Sequence, residues 1–106
     1  YEAIMNVNEK LIFNDETFRQ IIPAGTAIQN VPSSVVGDNM NRDGYHLNTY
    51  GRYVTALMWF KTITGYSIDD IEYKPATMTD QQLLIAKEAV NNAYMQMFEI
   101  TVSEYQ

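Results

Sequence analysis

The sequence predicts a mostly helical chain carrying a brief strand, on three observations. Apolar residues recur at helical spacing over residues 1–13, 49–64 and from 80 onward. Residues with capping chemistry, Asn48 and Thr79, stand just ahead of the second and third of these stretches. Between the first and second, "RQIIP" sets Ile21 and Ile22 between a polar entrance and a proline exit, the pattern of a short buried strand.

In chain order, YEAIMNVNEKLIF (1–13) places Ile4, Val7 and Leu11 on one stripe with Ala3 and Met5 beside it. That spacing predicts an amphipathic helix. In the following NDET, Asp15 is placed to cap a short turn through Phe18. After the strand, Pro23 and Gly25 punctuate the chain, and Thr26 is placed to cap a turn containing Ala27, Ile28 and Val31. PSSVVGDNMNRD (32–43) is loop by composition.

The second helix is predicted from the N-cap Asn48 through Thr49 to Thr64. Tyr50, Tyr53, Val54, Leu57, Met58, Trp59, Phe60 and Ile63 leave it almost no polar face, so it should be buried between other layers. Gly65 follows where a left-handed residue commonly ends a helix. Gly51, inside the first turn, costs about 1 kcal/mol against alanine and so points to a close backbone approach. Thr79 and Gln82 match a capping box, and the last helix should run from Asp80 to about Val102. Its stripe is Leu83, Ala86, Val90, Ala93, Met97 and Ile100, and its length roughly 35 Å at 1.5 Å per residue. The 8 tyrosines and 6 methionines fall mostly at core helical spacing and read as core.

Composition narrows the function. The 106 residues fit one domain or a piece of one, and 46% hydrophobic content excludes a disordered chain. Seven basic and 13 acidic residues leave a net charge of −6 with no basic run, which argues against nucleic acid and gives no attraction to anionic membranes. No apolar run approaches the roughly 18 residues of a membrane-crossing helix. With no cysteine there is no thiol nucleophile or thiolate metal site. The chain opens on Tyr1 without a basic, apolar leader, which reads as a cut N-terminus.

The sole histidine, His46, lies in "RDGYHLNTYGRY", three residues after Asp43. A lone histidine is most often a surface or satisfied core residue. One histidine with Asp38 and Asp43 in a loop gives no metal-ligand spacing. As a catalytic base, an imidazole needs a carboxylate that holds one tautomer and stabilises the charged form. Asp43 and His46, with Gly44 between them to relax the backbone, allow that carboxylate to meet Nδ1 while Nε2 faces a serine elsewhere.

The block "DGYHLNTYGRYVTALMWFKTITG" resembles the C-terminal block of the SGNH (GDSL-like) hydrolase superfamily, through Asp43, His46, Leu47, Asn48 and Gly51. The stretch from Ile21 to Gln29 is similar to the strand that precedes that block. The resemblance implies an α/β fold: residues 1–106 would be a single C-terminal fragment of a three-layer, flavodoxin-like hydrolase domain, mostly helical with one or two short strands. It implies a serine ester hydrolase acting on an acyl or acetyl ester, such as an acylated carbohydrate. His46 would be the general base, Asp43 its orienting carboxylate, and no cofactor would be needed. It further implies a secreted or periplasmic setting. The superfamily's Gly-Asp-Ser nucleophile block and its oxyanion residues are missing here. The expected partner is therefore the N-terminal remainder of the same domain, and the chain alone should be inactive. Ser33, Ser34 and Ser67 lie in no strand-to-helix elbow and read as turn residues. The alternative reading is a small helical interaction module in which Asp43 and His46 brace a helix.

Overall fold

Three helices pack on one another to form the core of the computed structural model, which describes all residues from Tyr1 to Gln106. They are α2 (Ala24–Asn30, extended by a 3-10 turn Val31–Ser33), α3 (Thr49–Thr64) and α4 (Asp80–Met95). A short N-terminal helix α1 (Glu2–Val7) runs into a π-helical turn, Asn8–Ile12.

The capping chemistry acts as the sequence implied. The Asn48 side chain accepts the Gly51 N–H at 3.0 Å, satisfying a donor that α3 itself cannot pair. Thr79 and Gln82 form the reciprocal capping box at 3.1 and 2.9 Å. Gly65 ends α3 at φ +70°, a conformation that glycine adopts without a Cβ penalty. Val31, Val54, Met58, Ile68, Ile85 and Val90 are fully enclosed between the three helices.

The expected α/β class is overturned: the chain is helical and contains no sheet. A strand is defined by hydrogen bonds to a neighbour, and the segment around Ile21 and Ile22 has none within these residues. Its carbonyl at Ile22 instead accepts from Ala24 N–H at 2.8 Å, and both isoleucines are half-buried. The sole ladder-like pair is an isolated antiparallel bridge between Asn41 and Leu47.

Other expectations change for tertiary reasons. The apolar stripe of α1 and its π-helical extension is not buried: Ile4, Val7 and Leu11 all face solvent. Helix α3 is buried on one face only, through Tyr50, Tyr53, Val54, Leu57 and Met58, while Trp59, Phe60 and Ile63 are exposed. Thr26 does not cap α2, which begins two residues earlier after Pro23; its hydroxyl bonds the Met97 carbonyl at 2.6 Å instead.

Helix α4 stops at Met95 rather than near Val102 because polar residues of α2 capture the chain beyond it. Thr26 holds Met97, Asn30 Oδ1 accepts from Thr101 N–H at 2.9 Å, and Ser33 Oγ accepts from Ser103 N–H at 2.9 Å. Those bonds replace the helical ones the segment would otherwise make.

Candidate functional site

The loop ahead of α3 is closed like a purse. Asn48 N–H donates to the Met40 carbonyl at 2.9 Å, and Arg42 N–H donates to the His46 carbonyl at 3.0 Å. The Asn48 side-chain amide adds a bond to the Asn39 carbonyl at 2.6 Å, so one residue caps α3 and ties the loop's base. Gly51 lets these parts meet: a Cβ built there would stand 2.6 Å from the Met40 carbonyl oxygen. The close approach inferred from that glycine is therefore real, and its partner is the backbone at the loop's root.

Inside the closed loop, Gly44 adopts φ +84°, and its N–H donates to Asn41 Oδ1 at 2.9 Å. This reversal sets the carboxylate of Asp43 over the residues that follow. Asp43 Oδ1 accepts two backbone N–H groups, from Tyr45 at 2.9 Å and His46 at 2.7 Å. Asp43 Oδ2 meets His46 Nδ1 at 2.7 Å, the short distance of a charge-assisted bond. The His46 side-chain bond, then the backbone N–H groups of His46 and Tyr45, hold the Asp43 carboxyl below the usual carboxylate value.

An ionised Asp43 requires the proton on Nδ1, so in the neutral imidazole the lone pair of His46 lies on Nε2. Nε2 has no hydrogen-bond partner in the chain, and the ring is exposed. The geometry thus fixes ring orientation and tautomer while leaving one basic nitrogen open to solvent. Asp43 and His46 are brought together; Asp38 takes no part in the pair.

None of the serines bonds His46. Ser33 Oγ and Ser34 Oγ donate to the Asn30 and Val31 carbonyls, each at 2.7 Å, and Ser67 Oγ donates to Asp69 at 3.0 Å. They are turn residues. Two contributors were missed in the sequence, Asn39 and Asn41. The Asn41-x-x-Gly44 spacing carries a signal, because asparagine side chains commonly bond backbone just ahead. Asn39 carries none, since it contributes only a carbonyl.

The family described as a domain of unknown function, DUF4886, matches residues 1–93. The chain is similar to the crystal structure of a DUF4886 family protein from Bacteroides uniformis, with 37% identity and a TM-score of 0.86. That similarity covers 95% of this chain and 39% of the other, so the present chain spans about two-fifths of that relative's length. Among curated proteins no match was found.

Proposed function

We propose that this chain, which belongs to the DUF4886 family, supplies the general base His46 and its orienting carboxylate Asp43 to a serine ester hydrolase. The observation that carries the reading is the Asp43–His46 bond at 2.7 Å with Nε2 left open. The likeness of Asp43, His46, Leu47, Asn48 and Gly51 to the SGNH block supports it further. The nucleophilic serine and the oxyanion donors lie outside these residues.

In the reaction, His46 Nε2 accepts the proton of the serine hydroxyl as its oxygen attacks the ester carbonyl. Asp43 stabilises the resulting imidazolium without taking its proton. The imidazolium then protonates the departing alkoxide, the C–O bond to the alcohol breaks, and an acyl-serine remains. Water repeats the sequence: Nε2 takes its proton as the water oxygen adds to the acyl carbonyl, the C–O bond to serine breaks, the proton returns to the serine oxygen, and the carboxylic acid leaves. An acyl or acetyl ester of a carbohydrate is the substrate class proposed.

The test is covalent. A fluorophosphonate probe should label one serine of the longer family chain, at a residue outside the present 106, and His46→Ala should abolish labelling. Undiminished labelling in that variant removes His46 from the chemistry. A second reading, an interaction module, is favoured by the two backbone N–H groups that Asp43 Oδ1 braces, since they serve the loop regardless of catalysis. It predicts no labelled serine at all.

A further inference from the structure

Three mainly apolar cavities adjoin through shared wall residues and together make up a groove. It begins at a cavity of about 430 Å³ whose wall includes Leu47, the residue after His46, with Ile4 and Ile28. Ile4, Met5 and Gly25 are shared with a second cavity of about 150 Å³. Ile21, Pro23 and Met97 carry that cavity on into a third, about 400 Å³, walled by Phe13 and Phe18. Arg19 is the single side chain of formal charge along all three. The exposed stripe of α1 borders the groove through Ile4.

Surface area shows how far the chain is from closing on itself. The chain exposes 6922 Å², against roughly 6,100 Å² for a compact monomer of its 12.2 kDa. The excess, roughly 800 Å², marks a chain less closed on itself than a compact monomer. Its radius of gyration, 13.6 Å, likewise exceeds the roughly 13 Å of a compact chain this long. In the Bacteroides uniformis relative the same fold occupies only 39% of the chain, so most of that polypeptide lies elsewhere.

We infer that this groove is the seat of the part of the longer family polypeptide that lies outside these 106 residues. An intramolecular neighbour is present at high effective concentration and needs no second molecule. The groove demands an apolar, nearly uncharged occupant, and it leads that occupant to the edge of the His46 loop. This surface assignment is independent of the chemistry proposed for His46.

The experiment uses the longer family chain in its native state, taking advantage of the absence of cysteine in this segment. Single variants Ile4→Cys and Phe18→Cys are compared with Met95→Cys, which is exposed and lines none of the three cavities. Maleimide modification is followed by peptide mass. Groove cysteines should react at least about 100-fold more slowly than the Met95→Cys control, unchanged on dilution of the protein. Reaction within a few-fold of the control overturns the proposal. Protection lost on dilution also overturns it, assigning the groove to a second copy. Should a cysteine variant fail to fold, peroxide oxidation of the unaltered protein serves instead. Met5, in the groove, should stay reduced while Met95 oxidises, and equal oxidation of the two overturns the proposal.

Discussion

Asp43 grips His46 twice, accepting the backbone N–H at one carboxylate oxygen and Nδ1 at the other, each at 2.7 Å. Main chain and ring are thereby oriented by one residue three positions upstream. The pair needs no support from distant elements, because Gly44 supplies the left-handed turn and Asn41 pins its amide.

Loss of either member should separate activity from folding in the longer chain. We expect His46→Ala to lower kcat by roughly 10⁶-fold and Asp43→Asn by about 10⁴-fold, as in serine triads acting as a unit. Both residues lie on an exposed loop, so stability should change by no more than about 0.5 kcal/mol for His46→Ala. Esterase kinetics beside thermal melts check this. Unchanged kcat in His46→Ala turns the loop into architecture alone.

Gly51→Ala should destabilise the protein although alanine is the better helix former. The added Cβ would meet the Met40 carbonyl at 2.6 Å, and that oxygen is held in place by Asn48 N–H. The intrinsic gain of about 1 kcal/mol is outweighed by overpacking of about 1–3 kcal/mol against a backbone that cannot rotate away. A melting temperature at or above that of the parent protein would contradict the fit.

The Asp43 contacts predict a particular acid response. Its carboxyl is depressed below the ordinary 3.8 in the folded loop, so its contribution to stability is complete above 3.8. That contribution disappears as pH falls through the lower folded value. The His46 amide resonance, reporting the bond to Asp43 Oδ1, should titrate with a midpoint below 3.8 and lose that transition in Asp43→Asn. A midpoint at or above 3.8 would refute it.

At the alkaline end, Tyr50 should matter. Burial raises its phenol above the ordinary 10.0, and its hydroxyl donates to the Gln82 carbonyl at 3.0 Å. A raised folded value stabilises fully below 10.0 and loses that contribution as pH rises past 10.0 toward the folded value. Melting temperature should therefore decline above about pH 10, and the decline should be shallower in Tyr50→Phe. An identical slope in the two proteins would show that Tyr50 does not report on this region.

The features legible in the sequence each lie within a few residues along the chain. Asn48, Thr79 with Gln82, and Gly65 marked helix ends because a cap satisfies backbone groups of its own first or last turn. Asp43 and His46 were legible in part for the same reason: a three-residue spacing with glycine between them allows the pair to close. Gly51 announced a close approach, though not that Met40 would be the partner.

Packing across the fold settles which apolar faces find neighbours and where a regular segment stops. The run at Ile21 and Ile22 has strand chemistry but no strand beside it, and a strand without a ladder partner is not a strand. Trp59, Phe60 and Ile63 carry a core pattern yet meet solvent, because burial depends on what is packed opposite and not on the pattern itself. Helix α4 yields at Met95 to hydrogen bonds from Thr26, Asn30 and Ser33, residues more than sixty positions away, and no local spacing can contain them.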